Sequence, residues 1–252
     1  MINLKVMYKS IVEDAKREYL RNKETKNKQN RKARKSKPAL WPSDLLSCKR
    51  KAAYHLINEE QSLKFSDKSL AYMDGGNVAE DATARAIVDV LNGRQNISLK
   101  WGCWSGKADF IIGYKTNKPI IIEHKATGEK NFKRSSIPKR EHVAQLALYG
   151  YLYNKLYGIK PKLILYYVGW GHFADFTLDV QATKISVVGL IDDTFITKNL
   201  RINIEKEIED LEAVFEKTIK ENQLPKRLER KSAGCTFMGK PSCQYYYSCW
   251  DR

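Results

Sequence analysis

Hydrophobic and polar positions follow different periods along the chain, and the changes of period divide it into segments. Short runs rich in β-branched and aromatic residues, at 98–104, 108–114 and 119–125, are separated by Gly, Asn and Lys turns and predict three strands. Residues 162–168 and 174–180 have the same character and predict two more strands. The pattern therefore predicts a sheet in the middle of the chain.

Helical spacing of apolar residues occurs before, between and after these strands. The predicted helices cover residues 73–92, 139–157 and 203–222. The first opens after Gly75 and Gly76, and a further helix, capped by Ser43 or Asp44, is predicted to hold Cys48 in its second turn. This order predicts an α/β fold in which a central mixed sheet is flanked by helices.

Composition and charge narrow the class of protein. The chain has 252 residues, of which 42% are hydrophobic, so it can bury a core and is not disordered throughout. No apolar run approaches the roughly 20 residues of a membrane span, and we expect a soluble, cytoplasmic protein without a membrane partner. The net charge of +16 favours a polyanionic partner over an ordinary metabolic role.

Basic residues are concentrated at the start of the sequence. Residues 1–37 hold thirteen Lys or Arg against four Asp or Glu, and the stretch from 21 to 37 has no large apolar residue with which to form a core. This predicts a flexible basic arm at 1–37 ahead of a globular domain at 38–252. The arm is either a solvated linker or a nucleic-acid contact.

Acidic and basic residues occur together on two neighbouring predicted strands. Asp109 lies on the second strand, and Glu123, His124 and Lys125 close the third. Because side chains alternate along a strand, Glu123 and Lys125 point to one face and His124 to the other. Two carboxylates and an ammonium at a strand edge suit Mg²⁺ or Mn²⁺, with the lysine serving the attacking water. A surface Glu–Lys pair on an ordinary hairpin is the alternative.

The spacing of these residues resembles that of the PD-(D/E)xK nuclease superfamily. Gly-Lys-Ala-Asp at 106–109 is followed by Glu-His-Lys at 123–125, and then by Gln145 and Tyr149, four positions apart on one face of a predicted helix. Gln-x-x-x-Tyr downstream of Glu-x-Lys resembles the RecB-type branch in particular. The resemblance implies a nuclease core whose catalytic and substrate-positioning residues are Asp109, Glu123, Lys125, Gln145 and Tyr149.

The same resemblance implies a metal site. Family members carry an upstream helical residue, usually His in a Gly-x-x-x-His setting, that completes the site. Here Glu80 follows Gly76 at this spacing, and a carboxylate is an equally sound ligand for Mg²⁺. The implied ligands of Mg²⁺ or Mn²⁺ are Glu80, Asp109, Glu123 and the carbonyl oxygen of His124.

Four of the five cysteines form a separate pattern. Cys48 precedes the predicted sheet, while Cys235, Cys243 and Cys249 follow it as Cys-x7-Cys-x5-Cys. This arrangement resembles the iron-staple nucleases, including AddB and the CRISPR-adaptation exonucleases, and implies a C-terminal cluster lobe in which the four thiolates hold a [4Fe–4S] cluster. Tetrahedral Zn²⁺ is the alternative for four thiolates. Cys103 is interpreted as an ordinary buried cysteine.

Together the motifs predict a metal-dependent DNA exonuclease that acts on single-stranded or end-processed DNA in recombination, repair or phage DNA metabolism. The expected protein partner is a helicase, recombinase or integrase, and the expected location is the cytoplasm, that of a host if the protein is phage-encoded. The alternative is a cluster-stabilised DNA-end-binding or adaptor subunit of a larger recombination or CRISPR-adaptation complex. A site-specific restriction enzyme is disfavoured by the Gln-x-x-x-Tyr motif and the cysteines.

Overall fold

The computed structural model describes most of the chain. The described residues are 18–23, 25–26, 37–59, 66–128, 132, 137–169, 171–227, 235–237, 240–241 and 243–250. The chain divides into two compact units, Met1–Lys37 with Lys64–Val78 and Pro38–Leu63 with Ala79–Arg252. Most of the predicted basic arm lies outside the described residues, and the predicted division into 1–37 and 38–252 stays a prediction.

The described elements fall into groups, with helices first, then three strands, one helix and four more strands, and finally two helices with a short strand pair between them. The helices are α1 (its described part, 18–23), α2 (Lys49–Leu56), α3 (Asp67–Arg85), α4 (Arg140–Tyr157), α5 (Ile204–Lys220) and α6 (Tyr246–Trp250). The strands are β1 (Arg94–Trp101), β2 (Trp104–Ile112), β3 (Ile120–Ala126), β4 (Lys162–Gly169), β5 (His172–Val180), β6 (Ile185–Ile191), β7 (Thr194–Leu200), β8 (Thr236–Phe237) and β9 (Lys240–Pro241). A 3₁₀ turn covers Pro42–Asp44, and a π-helical turn, Ala86–Val90, continues α3. None of the described helices is both long and apolar enough to cross a membrane.

The smaller unit contains α1 and the beginning of α3. Two ion pairs join these helices within it: Nε of Arg21 lies 3.2 Å from Oδ1 of Asp67, and Nζ of Lys23 lies 2.5 Å from Oδ1 of Asp74. Leu20 is buried. The described part of the basic segment is therefore helical and is paired with acidic residues of α3.

The larger unit is built on a seven-stranded mixed sheet with the order β1-β2-β3-β4-β5-β6-β7. Neighbouring strands are antiparallel except β3 and β4, which are parallel. A parallel pair needs a long crossover, and α4 provides it, whereas the antiparallel neighbours are joined by short turns. The predicted mixed sheet flanked by helices is confirmed, and β6 and β7 extend it beyond the predicted strands.

Helices α4 and α5 form where the periodicity predicts them. Gly158 ends α4 with a φ of 69°, the left-handed conformation that favours glycine after a helix. Asn203 caps α5, because its side-chain oxygen accepts the N–H of Lys206 at 3.0 Å. Helix α4 packs on β1, β3 and β4 and supplies much of the main core. One face of this helix therefore lies against β3, the strand that holds Glu123.

The helix predicted after Pro42 forms as α2, but its predicted start and cap are wrong. Only a 3₁₀ turn forms there, and α2 begins at Lys49, so Cys48 is its N-cap residue and does not lie in a second turn. The Asp44 carboxylate caps no α-helix, because its Oδ2 accepts the N–H of Trp41 at 2.9 Å within the 3₁₀ turn. Cys48 therefore lies at the start of a helix, where no preceding helical turn constrains its side chain.

Helix α3, in contrast, starts earlier than predicted. It begins at Asp67, so Gly75 and Gly76 lie inside it, although glycine disfavours a helix interior by about 1 kcal/mol relative to alanine. The far end of α3 and the π-helical turn cover the face of the sheet opposite α4. The small core on that face contains Ala84, Ile87, Phe110 and Ile122.

Candidate functional site

Strands β2 and β3 stop pairing next to the predicted acidic residues. Their register ends at Phe110↔Ile122, and the next step would place Asp109 opposite Glu123. At this step Oδ2 of Asp109 accepts the N–H of His124 at 2.8 Å, so a side chain replaces the backbone acceptor of the ladder. The Asp109 carboxylate is thereby fixed beside the end of β3.

Glu123 and Lys125 lie on the same face of β3, as the alternation predicts. Nζ of Lys125 donates to Oε1 of Glu123 at 2.5 Å. The Glu123 side chain is 1% exposed, and its second oxygen, Oε2, has no hydrogen-bond partner among the described residues. A buried carboxylate oxygen without a donor is costly, and such an atom is a natural position for a cation or a bound water.

His124 points to the opposite face of the sheet, again as the alternation predicts. Its Nε2 lies 3.2 Å from Oγ1 of Thr83 on α3, and its ring packs against that of Tyr166. Burial, assisted by the charge of Lys125, lowers the pKa of His124 to about 4. The imidazole is therefore neutral at physiological pH, and only the backbone of His124 borders the acidic residues.

Glu80 on α3 interacts with the acidic residues of the sheet. Burial raises its pKa, the charge of Asp109 raises it further, and a hydrogen bond from Gln95 opposes both. Burial lowers the pKa of Lys125, but the charges of Glu123, Asp109 and Glu80 outweigh this and raise it overall. Lys125 therefore stays an ammonium. We refer to Glu80, Asp109, Glu123 and Lys125 as the carboxylate–lysine cluster.

The carboxylates of this cluster hold their protons more tightly than free carboxylates do. Burial raises the pKa of Glu123 to about 8, with Lys125 opposing the change and Asp109 adding to it. Burial likewise raises the pKa of Asp109, against the charge of Lys125 and the N–H of His124. Shifts of this kind, from desolvation together with specific charged neighbours, are typical of functional sites but also occur in structural ion-pair networks.

Gln145 and Tyr149 come together on the face of α4 that lies over the cluster. The Tyr149 hydroxyl takes part in hydrogen bonds with the Gln145 side chain and the Lys107 backbone. Burial raises the pKa of Tyr149 well above its usual value, and the nearby charge of Glu123 adds to this. The structure therefore brings five of the residues named from the sequence to one place, and Glu80 joins them from α3.

His142 belongs to the same stripe of α4 and has no functional signal in the sequence. It lies three positions before Gln145, and its Nδ1 is 2.8 Å from the Tyr167 hydroxyl. Burial lowers its pKa to about 3, with smaller effects from Lys125 and Lys139. Only its position, one helical turn before the Gln-x-x-x-Tyr pair, could have suggested that it borders the cluster.

The four cysteines of the predicted lobe also come together, although they are far apart in the sequence. Cys48, Cys235, Cys243 and Cys249 line one pocket, which we call the cysteine pocket, and aromatic rings of Tyr54, Tyr245, Tyr246 and Trp250 border it. Burial raises the pKa of Cys235, and the other three sulfurs raise it further through like-charge repulsion. Cys103 lies outside this pocket, in the turn between β1 and β2.

Neither group of side chains is arranged as a finished metal site. Within the described ranges, no set of three or more His, Cys, Asp or Glu side chains is placed so that it could hold a metal ion. In the carboxylate–lysine cluster, Lys125 occupies one oxygen of Glu123 and the N–H of His124 occupies one oxygen of Asp109. The donor chemistry still suits a hard cation, because the acidic side chains offer only oxygen and Oε2 of Glu123 is unpaired among the described residues.

Comparison with known proteins adds no family assignment. No protein-family model matches the chain, and no curated protein matches it at a significant level. Function must therefore be argued from the chemistry of the carboxylate–lysine cluster and the cysteine pocket.

Proposed function

We propose that the protein is a divalent-cation-dependent nuclease of the PD-(D/E)xK type, which hydrolyses phosphodiester bonds of single-stranded or end-processed DNA. The observation that supports this most is the buried Glu123 beside Asp109 and Glu80. One of its oxygens accepts from Lys125, and the other has no hydrogen-bond partner in the part of the chain that the structure describes. A purely structural Glu–Lys pair would not need two further carboxylates next to it, because each added anion raises the cost of burying the others.

The cation in this proposal is Mg²⁺ or Mn²⁺. The residues that would hold it are Glu80, Asp109, Glu123 and the carbonyl oxygen of His124. When bound, the cation would neutralise phosphate charge and lower the pKa of a bound water. The raised pKa values of Glu80, Asp109 and Glu123, together with Oε2 of Glu123, which has no partner among the described residues, are the features of this chain that a hard cation would satisfy.

Lys125 is proposed to assist the attacking water. Its ammonium is charged, is held by Glu123, and is 23% exposed, so it can also reach solvent or a phosphate oxygen. Gln145 and Tyr149 are neutral hydrogen-bonding groups above the same cluster and would position the sugar–phosphate backbone. The basic composition of the chain favours a polyanionic substrate.

The cysteine pocket is proposed to hold a [4Fe–4S] cluster, with Zn²⁺ as the alternative. Four sulfur donors around one pocket match the ligand count of both. Because the pKa values of Cys235 and Cys243 are raised by burial, these thiols would release protons when they bind metal. The bound cluster or zinc ion would link Cys48, at the start of α2, to the chain around α6.

The nuclease proposal is tested with an end-labelled single strand incubated with Mg²⁺, Mn²⁺ or a chelator. We expect the wild type to cleave only with cation and Asp109→Asn to be inactive. Asparagine can still accept the His124 N–H, so the variant should remain folded and bind the strand. Cation-independent cleavage, or full activity of Asp109→Asn, would contradict the proposal.

A second candidate is favoured by one observation. As placed, the carboxylates are engaged by Lys125 and His124, and no group of three or more ligands among the described residues could hold a metal ion. This arrangement fits a subunit that binds DNA ends for a helicase, recombinase or integrase and has little nuclease activity of its own, because such a subunit would not need a complete metal site. Tight binding of labelled ends without cleavage, under any cation, would favour this second function.

A further inference from the structure

Trp41 is an exposed aromatic residue at a fixed position on the larger unit. Its side chain is 46% exposed. The chain on either side is held: Leu40 exchanges backbone hydrogen bonds with Cys103 at 2.8 Å and Ser105 at 2.9 Å, at the beginning of β2. The N–H of Trp41 itself donates to Oδ2 of Asp44 at 2.9 Å. The backbone that presents this indole is thus anchored on both sides.

One face of the indole is backed by a second ring. The imidazole of His55 stacks on Trp41 with the ring centroids 5.7 Å apart and an interplanar angle of 26°. His55 is held in turn, because its Nδ1 lies 2.9 Å from Oδ1 of Asp44, a carboxylate that is 1% exposed. The edge of Tyr245 packs against the other side of His55 at 5.5 Å. A buried carboxylate with both oxygens engaged therefore fixes the Trp41–His55 stack.

The residue after Trp41 packs on the strand that carries Asp109. A Cβ on Gly106 of β2 would lie 2.7 Å from the ring of Pro42 and 2.9 Å from Cε1 of Tyr149. Gly106 is three residues before Asp109 on the same strand. Pro42 therefore connects Trp41 to the strand and the tyrosine that border the carboxylate–lysine cluster, and among the described residues no ring other than that of His55 stacks on the indole.

We propose that the exposed face of Trp41 stacks on an unpaired nucleobase of the strand that enters the carboxylate–lysine cluster. The inference rests on the proposed function and specifies its substrate as a single strand or a frayed end. Aromatic stacking accepts every base, because each has a π-face, but a base inside a duplex already has both faces covered. An indole that is fixed before binding loses little conformational freedom when the base arrives.

The test is a binding panel without divalent cation, in which cleavage does not interfere. The probes are a short labelled oligothymidylate and the same strand with one base removed at each position in turn. For the wild type, we expect one abasic position to weaken binding roughly tenfold. Trp41→Ala should weaken binding of the intact strand by a similar factor, and in this variant the abasic site should cause no further loss of affinity. Trp41→Phe should show a smaller loss of affinity at the abasic site than the wild type does.

Trp101→Ala is the matched control, because Trp101 is 45% exposed on β1 but has no such stack among the described residues. It should bind the whole panel as the wild type does. The inference is overturned if Trp41→Ala binds every strand like the wild type, if the abasic effect persists in Trp41→Ala, or if the wild type binds no single strand. If the wild type shows the Trp41-dependent abasic effect but cleaves no strand with Mg²⁺ or Mn²⁺, the proposed nuclease function is wrong and the proposed stacking of a base on Trp41 still holds.

Discussion

The carboxylate of Asp109 accepts the backbone N–H of His124 at 2.8 Å, at the point where β2 and β3 stop pairing. This one contact couples the fold to the candidate site, because the same side chain satisfies a buried donor and contributes charge to the carboxylate–lysine cluster. Replacing Asp109 should therefore change the stability of the fold, and this change can be measured separately from any change in cleavage.

Asp109→Ala should be less stable than Asp109→Asn. Alanine leaves the His124 N–H without its acceptor, which costs about 1–3 kcal/mol when the group stays buried, whereas the asparagine side chain can still accept it. Urea unfolding of both variants measures the difference. Equal stabilities would mean that water or a local rearrangement replaces the contact, and that Asp109 does not fix the end of the ladder.

The stability of the wild type should depend on pH through Glu123. The pKa of this carboxyl rises from 4.5 to about 8 on folding, so between these values the unfolded chain has lost a proton that the folded chain still holds. Stability contributed by this group is therefore present at low pH, falls as pH rises through this window, and levels off above it.

Glu123→Gln removes this dependence. We expect the variant to gain up to about 4 kcal/mol of stability relative to the wild type as pH rises from about 5 to about 8, since each of the roughly three pH units in this window corresponds to about 1.4 kcal/mol. Unfolding by urea at a series of pH values gives the two slopes. Parallel slopes would show that Glu123 is ionised throughout this range in the folded protein.

Gly106 should tolerate no side chain. A Cβ there would lie 2.7 Å from the ring of Pro42 and 2.9 Å from Tyr149, so Gly106→Ala must displace one of them and should cost about 1–3 kcal/mol of stability. Gly128→Ala is the control, because nothing lies within 4 Å of the added atom. Thermal unfolding that shifts equally in both variants would contradict the close packing of Pro42 on β2.

The cysteine pocket should bind metal that Cys243 helps to hold. Protein purified without oxygen is expected to be brown and to contain iron and sulfide in equal amounts, or to be colourless and contain zinc. Cys243→Ala should lose the metal and unfold at a lower temperature, because metal binding in such sites contributes directly to folding. Cys103→Ala should keep its metal, since Cys103 lies outside the pocket. A metal-free wild type, or equal metal content in the two variants, would contradict the proposal.

The sequence predicts five of the seven strands of the main sheet. Runs of β-branched and aromatic residues indicate β1 to β5, although the first run, 98–104, extends past the end of β1 at Trp101. They do not indicate β6 and β7, because apolar residues also occupy the outer face of these two strands. Val188, Leu190 and Phe195 are 40%, 41% and 66% exposed, and Leu190 pairs directly with Phe195. With apolar residues on both faces, the alternation that marks a half-buried strand disappears.

The sequence likewise indicates some residues of the candidate site and not others. Glu123 and Lys125 can be placed on one face from the strand period alone. Gln145 and Tyr149 are named through the resemblance to the RecB-type nucleases, and the helical period adds only that they share a face. The Trp41–His55–Tyr245 stack could not be predicted, since its members come from three distant segments and each looks like an ordinary aromatic or histidine. The predicted start of α2 is wrong for the same reason: the Asp44 carboxylate does not cap the helix, because it is engaged by His55, eleven residues later, and by the N–H of Trp41.

In the proposed function, Lys125 serves the hydrolytic reaction beside Glu123. Single-turnover cleavage of a labelled single strand with Mn²⁺ measures its contribution. Lys125→Ala should lose at least about a hundredfold in rate, a typical effect of removing a group that assists the attacking water, while strand binding remains. Lys107→Ala, an exposed lysine of β2, is the matched control and should cleave nearly as the wild type does. Equal rates for Lys125→Ala and Lys107→Ala would contradict the account.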